Sequence, residues 1–177
     1  MNTRILIAGF GGQGVLFAGK FLAYKALIEE KQISWLPSYG PEMRGGTANC
    51  SVIISDDAIG SPIVSTPDVL VAMNLPSLDK YENAVVPGGM IIIDSTMIER
   101  KVQRDDIKAV YIPATKLASS IDAPTLANMV IVGKLMTVCP AVSPEHIDDA
   151  LKKIVSKRHI NLVEINRDAI KLGQDYN

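Results

Sequence analysis

Only two cysteines and two histidines occur in the 177 residues, and that scarcity removes several chemistries at the outset. Cys50 and Cys139 stand far apart without a CxxC spacing, so the chain cannot by itself ligate a cubane iron–sulfur cluster. They read instead as two reduced, mostly buried thiols. His146 and His159 have no partner at ligand spacing, which argues against a metal site. No Ser–His–Asp or Cys–His set can be assembled, so no catalytic residue is assigned. Charge of either sign is not in excess: the net charge is −1, with acids and bases interspersed. No broad basic field exists to attract nucleic acid or an anionic membrane. A local anion site stays open, because a few aimed donors suffice. No apolar run approaches the ~20 residues of a spanning helix. The start Met-Asn-Thr-Arg-Ile-Leu-Ile enters a strand at once, without the features of a secretory leader. The expectation is a soluble, cytoplasmic protein.

What is present is an ordinary globular composition, with 47% hydrophobic and 21% charged residues. The length suits one domain over 1–177. Arg4–Ala8 is a short apolar run ending in glycine, the pattern of a buried parallel strand. Val15–Glu30 changes to a helical period. Leu16, Gly19, Ala23, Ala26 and Leu27 fall inward, with Lys20, Lys25, Glu29 and Glu30 for the wet side. Ile33–Leu36 is a second strand, which would complete a βαβ unit. After the irregular stretch Ser38–Gly46, Thr47–Ser55 is extended and suits an antiparallel strand beside the parallel set. Val69–Met73, Met90–Ile93 and Lys108–Ile112 read as further strands, and Asn74–Asn83 as a short helix.

Beyond Pro113 the chain becomes helical, over Thr115–Ser120 and Leu126–Val138. Ser143 would cap a further helix with Pro144 in its first position, and Ile147, Ala150, Leu151 and Ile154 would form its buried stripe. A last helix over Leu162–Leu172 would start at Asn161 and stop at Gly173. The fold class is α/β: a Rossmann-like, mostly parallel sheet flanked by helices, with an antiparallel strand and a helical C-terminal part.

Gly9-x-Gly11-x-x-Gly14 follows a strand and opens a helix, the context that gives this pattern meaning. Without β-carbons the backbone can turn tightly and approach an anion, while the first N–H groups of the helix point at it. Gly12 adds room, and Gln13 adds an amide that could donate to a phosphate oxygen. The competing reading is a tight turn and nothing more. A dinucleotide site would need an acid at the end of the second strand for the ribose. That place holds Leu36-Pro37-Ser38, which disfavours NAD and leaves a phosphate or diphosphate site. The second candidate is the segment with Tyr39, Arg44, Gly45 and Gly46. Arg44 carries a planar fork suited to phosphate or carboxylate, or to an internal clamp with Glu42. It follows the second strand, so it belongs to the same sheet edge as the glycine loop. Asp94 and Asn74 are weaker candidates, read chiefly as turn caps.

Ile-Ala-Gly-Phe-Gly-Gly-Gln-Gly at 7–14 with Ser-Tyr-Gly-Pro-Glu-Met-Arg-Gly-Gly at 38–46 resembles the gamma subunit of 2-oxoacid:ferredoxin oxidoreductases. Thr47–Val52, Pro67–Leu78 and Pro87–Gly89 leading to Asp94-Ser95 fit the same family, strongly to about Ser95 and more loosely beyond. The resemblance implies a non-catalytic subunit of a complex that decarboxylates a 2-oxoacid and transfers its acyl group to coenzyme A. Thiamine diphosphate and iron–sulfur clusters are then expected on alpha, beta and delta partners, with ferredoxin as acceptor. It also implies a role for Gly9–Gly14 on the coenzyme A diphosphate, and for the Arg44 segment at a subunit interface. Homo-dimerisation is compatible with it. Of the oxoacids, 2-oxoglutarate and 2-oxoisovalerate are favoured over pyruvate. The alternative is a stand-alone Rossmann-type nucleotide-binding oxidoreductase.

Overall fold

The computed structural model describes residues 2–38, 47–156 and 160–177. Among these, β1 (Asn2–Phe10), β2 (Gln32–Ser38), β3 (Thr47–Ser55), β4 (Val69–Ala72), β5 (Met90–Asp94) and β6 (Lys108–Ile112) form one sheet. Its order is β2-β3-β1-β4-β5-β6. β1, β4, β5 and β6 pair in parallel, and β3 runs antiparallel between β1 and β2. The expected antiparallel strand is therefore present. The βαβ expectation is altered, since β2 points the same way as β1 but is separated from it by β3.

The central strands are apolar on both sides because both faces are covered, which is why they carry continuous rather than alternating apolar runs. Successive residues point to opposite faces. Ile5, Ile7, Val69, Val71 and Ile92 enter one core, and Leu6, Leu70, Ala72, Ile91 and Ile93 the other. The first core is roofed by α1 (Val15–Ile28), α3 (Ala114–Ser119), α4 (Ala127–Val138), α5 (Ile147–Ile154) and α6 (Asn161–Asp175). The second is closed by α2 (Leu75–Tyr81) and by Val85, Ile98, Val102 and Ile107.

Three local expectations are corrected. Lys25 lies on the buried side of α1, while Leu27 is exposed. α5 begins at Ile147 rather than Pro144, because His146 stands in the left-handed region at φ +57° and interrupts a helix that would start at Pro144, while the Ser143 hydroxyl donates to Glu29 and accepts from Lys25 and from the Glu145 N–H. Gly173 does not end the last helix. It lies inside α6, where an added Cβ would stand 1.8 Å from the carbonyl oxygen of Val130 on α4. The glycine permits a close helix crossing.

Candidate functional site

The connection leaving β1 runs through α1 toward β2, whereas the connection leaving β4 runs through α2 to β5 on the other side. Chain direction across the sheet thus reverses between β1 and β4. In open α/β sheets such a switch point leaves a crevice at the carboxyl edge, the usual place for a ligand. The glycine loop lies there. Gly9 ends the buried part of β1, and a Cβ on it would meet the Gln13 Oε1 at 2.6 Å and the Met73 Cβ at 3.0 Å. Gly11 and Gly12 are exposed. Gly12 has φ +93° and Gly14, the residue before α1, has φ +73°, a region that side chains other than glycine seldom occupy.

Gln13 has a more specific place than its amide suggested. Its oxygen accepts from the Phe10 N–H at 2.6 Å, and its nitrogen donates to the Met73 carbonyl at 3.1 Å. The side chain braces the loop against the end of β4. From the opposite side, Asn128 of α4 donates to the Gly14 carbonyl at 3.0 Å. A Cβ on Gly14 would stand 2.4 Å from that Asn128 nitrogen. The hydrogen bonds of Gln13 and Asn128 tie the loop to the end of β4 on one side and to α4 on the other. Asn128 carried no recognisable signal in the sequence, because its partner is 114 residues away.

Cavities of about 260 and 250 Å³ flank the loop, and Gly12 borders both. The first lies toward β4 and β5 and is lined by Gln13, Met73, Met97, Thr115, Thr125 and Ala127, among others. The second lies toward β3, against Phe10, Leu16, Phe17 and Ala48. A cavity of about 300 Å³ beside Asp68, Gly88 and Cys139 is at the opposite sheet edge, away from the glycines.

Asp94, fully buried at the end of β5, accepts from the Thr115 hydroxyl at 2.6 Å and the Thr96 N–H at 3.1 Å. It joins the strand to α3 as a cap. Asn74 likewise caps α2, accepting from the Ser77 N–H at 2.8 Å. Burial pushes the Cys50 thiol up to about 12, and it raises Cys139 as well, so both are protonated and unreactive near neutrality. Among the described residues no cluster of His, Cys, Asp or Glu could hold a metal, and no helix is long and apolar enough to cross a membrane. Tyr39, Arg44, Gly45 and Gly46 lie outside the described residues.

The sheet order bears on the dinucleotide alternative. A ribose-binding acid acts from the tip of the strand beside β1. Here β3 occupies that place, and β2 stands two strand spacings away, roughly 9.5 Å. No acid at the tip of β2 replaces the missing one, since Leu36-Pro37-Ser38 ends that strand.

Fold and site define an α/β domain with a braced glycine loop at a sheet switch point and no catalytic constellation among its described residues. The chain belongs to the pyruvate ferredoxin/flavodoxin oxidoreductase family, whose model matches residues 4–176. It is 38% identical over 176 residues to the ketoisovalerate oxidoreductase subunit VorA of Methanothermobacter marburgensis, covering 99% of this chain and 36% of that relative. The chain thus spans about a third of the length of that curated relative. The 2-oxoglutarate synthase subunit KorC of Methanocaldococcus jannaschii is 37% identical over 160 residues, 89% of this chain and 86% of its own. Among solved structures, the gamma subunit of a keto/oxoacid ferredoxin oxidoreductase from Geobacter sulfurreducens superposes with a TM-score of 0.80. It is 28% identical, and the match covers 97% of this chain and 95% of that one. The fold also matches, at a TM-score of 0.88 and 22% identity, 2-oxoglutarate:ferredoxin oxidoreductase from Magnetococcus marinus with 2-oxoglutarate, coenzyme A and succinyl-CoA bound. That match covers 98% of this chain and 30% of the other. The resemblance read from the motifs is the family found, and the chain is of its gamma-subunit type.

Proposed function

We propose that this chain serves as the gamma subunit of a cytoplasmic 2-oxoacid:ferredoxin oxidoreductase and holds the diphosphate of coenzyme A on Gly9–Gly14. The observation that carries the reading is the braced glycine loop at the switch point, with two small cavities meeting at Gly12 and no ribose acid beside it. A diphosphate with an organic arm on each side suits that shape better than a nucleotide clasped by one strand tip. In this reading the chemistry belongs to partners, with thiamine diphosphate and iron–sulfur clusters on alpha, beta and delta subunits and ferredoxin as the acceptor of the complex. Relatives named for 2-oxoglutarate and ketoisovalerate support those two oxoacids over pyruvate. By its sequence alone, the segment with Tyr39, Arg44, Gly45 and Gly46 is assigned a contact with a partner subunit or with phosphate. Arg44→Ala is expected to weaken assembly or activity, measured by co-purification and by turnover of the complex. If both survive intact, that assignment falls.

Gly12 tests the loop directly, because a Cβ there meets nothing within 4 Å. Gly12→Asp introduces a negative charge where the diphosphate is expected, and like charges in a partly desolvated site repel. The KM for coenzyme A in the assembled complex should rise at least about tenfold, which is roughly 1.4 kcal/mol. Gly12→Asn carries the same backbone strain without the charge, and should raise KM much less. An unchanged KM in the aspartate variant would remove the coenzyme from this loop.

A further inference from the structure

β2 ends the sheet, and the hydrogen bonds further in fix which of its backbone groups face outward. The carbonyls of Arg4 and Ala8 accept from Asp68 and Met73 on the β4 side, so the odd residues of β1 turn toward β3. Ile5 and Ile7 stand opposite Val52 and Cys50, which therefore bond β1. Ser51 and Ile53 turn the other way, to Leu36 and Ser34 of β2. Ile33, Trp35 and Pro37 are left facing out. Pro37, which has no N–H, thus sits where an edge strand tolerates it. Among the described residues nothing accepts from the Ile33 and Trp35 N–H groups.

Edge strands are ordinarily guarded by charge, by shortness or by a covering element. The far edge strand, β6, has five residues and begins with Lys108. β2 has seven, Gln-Ile-Ser-Trp-Leu-Pro-Ser, and none is charged. Beside it, strand and helix leave a mostly apolar groove of about 280 Å³ lined by Lys20, Ala23, Tyr24, Leu27, Ile33 and Trp35. Leu27 is 56% exposed on its rim.

We propose that a second copy of this chain pairs with this edge, β2 against β2, antiparallel about a two-fold axis through Ser34. An open row of backbone donors and acceptors fits an extended segment, and the strand supplies its own complement. With Ser34 opposite Ser34, Ile33 of each copy stands opposite Trp35 of the other. Each such pair exchanges two hydrogen bonds, so every outward N–H of both strands is used. Pro37 falls opposite Lys31, whose own N–H is already given to the Ala26 carbonyl. With Trp35 opposite Trp35 instead, the Ile33 carbonyls would face the missing N–H of Pro37. The proline selects the register.

The axis stands perpendicular to the sheet, so α1 of both copies lies on one face and the two helices run antiparallel. α1 packs over β1, β3 and β2. Its mate therefore lies roughly 14 Å away, three strand spacings, against about 8–10 Å for helices in direct contact. Tyr24 and Leu27 of both copies fill the difference. The Lys20 end of each helix approaches the Glu30 end of the other, opposite in charge. The reversal of direction sends the two glycine loops to opposite edges of one continuous sheet, so both stay open. The pairing is independent of what those loops bind.

Roughly a dozen residues per copy take part, about half of the 20–30 in a standard interface, so the Kd should be on the order of micromolar or weaker. Sedimentation velocity of the full chain, from below one to several hundred micromolar, should show monomer giving way to dimer. Ser34→Cys puts two thiols at the axis, where opposed Cα atoms stand about 4.5 Å apart, within the disulfide range. Mild oxidation should trap that variant as a covalent dimer on a non-reducing gel. Wild-type chain, whose two cysteines are buried, should remain uncrosslinked. Ser34→Lys and Ser34→Glu should each lose the dimer by like-charge repulsion, and an equimolar mixture of the two should regain it. A wild-type chain that stays monomeric throughout overturns the proposal, as does a dimer that Ser34→Cys fails to trap. A dimer of wild-type affinity in Ser34→Lys is formed elsewhere on the surface and overturns it too. If the charged variants do not fold, as read by circular dichroism, the cysteine variant decides alone. Cross-linking of Ser34→Cys to a different subunit in the assembled complex, with the free chain monomeric, gives the edge to that subunit and excludes the second copy.

Discussion

Gly173→Ala is expected to destabilise the chain by roughly 3 kcal/mol or more, the range where forced overpacking becomes severe. Intrinsic helix propensity predicts the opposite sign, because alanine in a helix interior is favoured over glycine by about 1 kcal/mol. The crossing of α4 and α6 decides the matter. A Cβ on Gly173 would stand 1.8 Å from the Val130 carbonyl oxygen, and one on Gly133 would stand 1.9 Å from the Ile170 carbonyl oxygen. Both obstacles are backbone, so no rotamer change relieves them, and the helices must move apart. Separation would loosen the packing of the core residues Val130, Ala169 and Ile170. For a chain of this length, 3 kcal/mol corresponds to a fall in Tm of about 6–12 °C. Gly133→Ala should behave alike. Gly60→Ala is the control: its Cβ meets nothing within 4 Å, and its effect should stay within about 0.5 kcal/mol. A stabilised Gly173→Ala protein in urea or thermal unfolding would mean that the two helices do not cross here.

The same glycine shows where sequence reading succeeds and where it stops. Elements with a strong local pattern were legible: β6 was expected over Lys108–Ile112 and occupies those residues, and β5 extends the expected Met90–Ile93 by Asp94. Gly173 looked like a helix stop because local rules see only its missing side chain. Its function at the crossing depends on a carbonyl in another helix. The insertion of β3 between β1 and β2 was equally hidden. Pairing of Asn2 with Ser55 and of Gln32 with the same residue is non-local, and no periodicity encodes neighbours. The glycine loop was readable because strand, glycines and helix follow one another in the chain. The rest of the site was not, since Met97, Thr115 and Asn128 come from three later segments. The one available hint for Thr115 was an aspartate ending a buried strand, and that signal fits many turns. Gln13 was recognised as a member of the loop, but its amide is turned inward as a brace.

The charge of Lys25 suits the wet side of α1, yet the residue is buried, and the two members of its ion pair are buried unequally. Its side chain is only 2% exposed, whereas that of its partner Glu29 is 15% exposed. The ammonium is ion-paired with Glu29 and donates to the Ser143 hydroxyl at 3.0 Å, which in turn donates to Glu29 at 2.7 Å. Charge, carboxylate and hydroxyl thus bind the end of α1 to the segment preceding α5. Glu29→Ala strands a buried cation, and removing one partner of a buried pair typically costs about 3–5 kcal/mol. Lys25→Met keeps most of the apolar stem and leaves a carboxylate close enough to the surface to recover water, so its cost should be nearer 1 kcal/mol. The double variant Lys25→Met with Glu29→Ala should cost less than Glu29→Ala alone, because no charge is left to desolvate. Urea unfolding of the three variants gives the cycle directly. Equal losses for the two single variants, or a double variant that equals their sum, would show that the pair is not buried as a unit. The expected outcome instead assigns the ion pair to specificity: Lys25 costs desolvation wherever it goes, and only the arrangement with Glu29 and Ser143 repays it. A misplaced α5 would leave that ammonium without its hydroxyl, which penalises alternative packings of the helical layer without adding net stability to the native one.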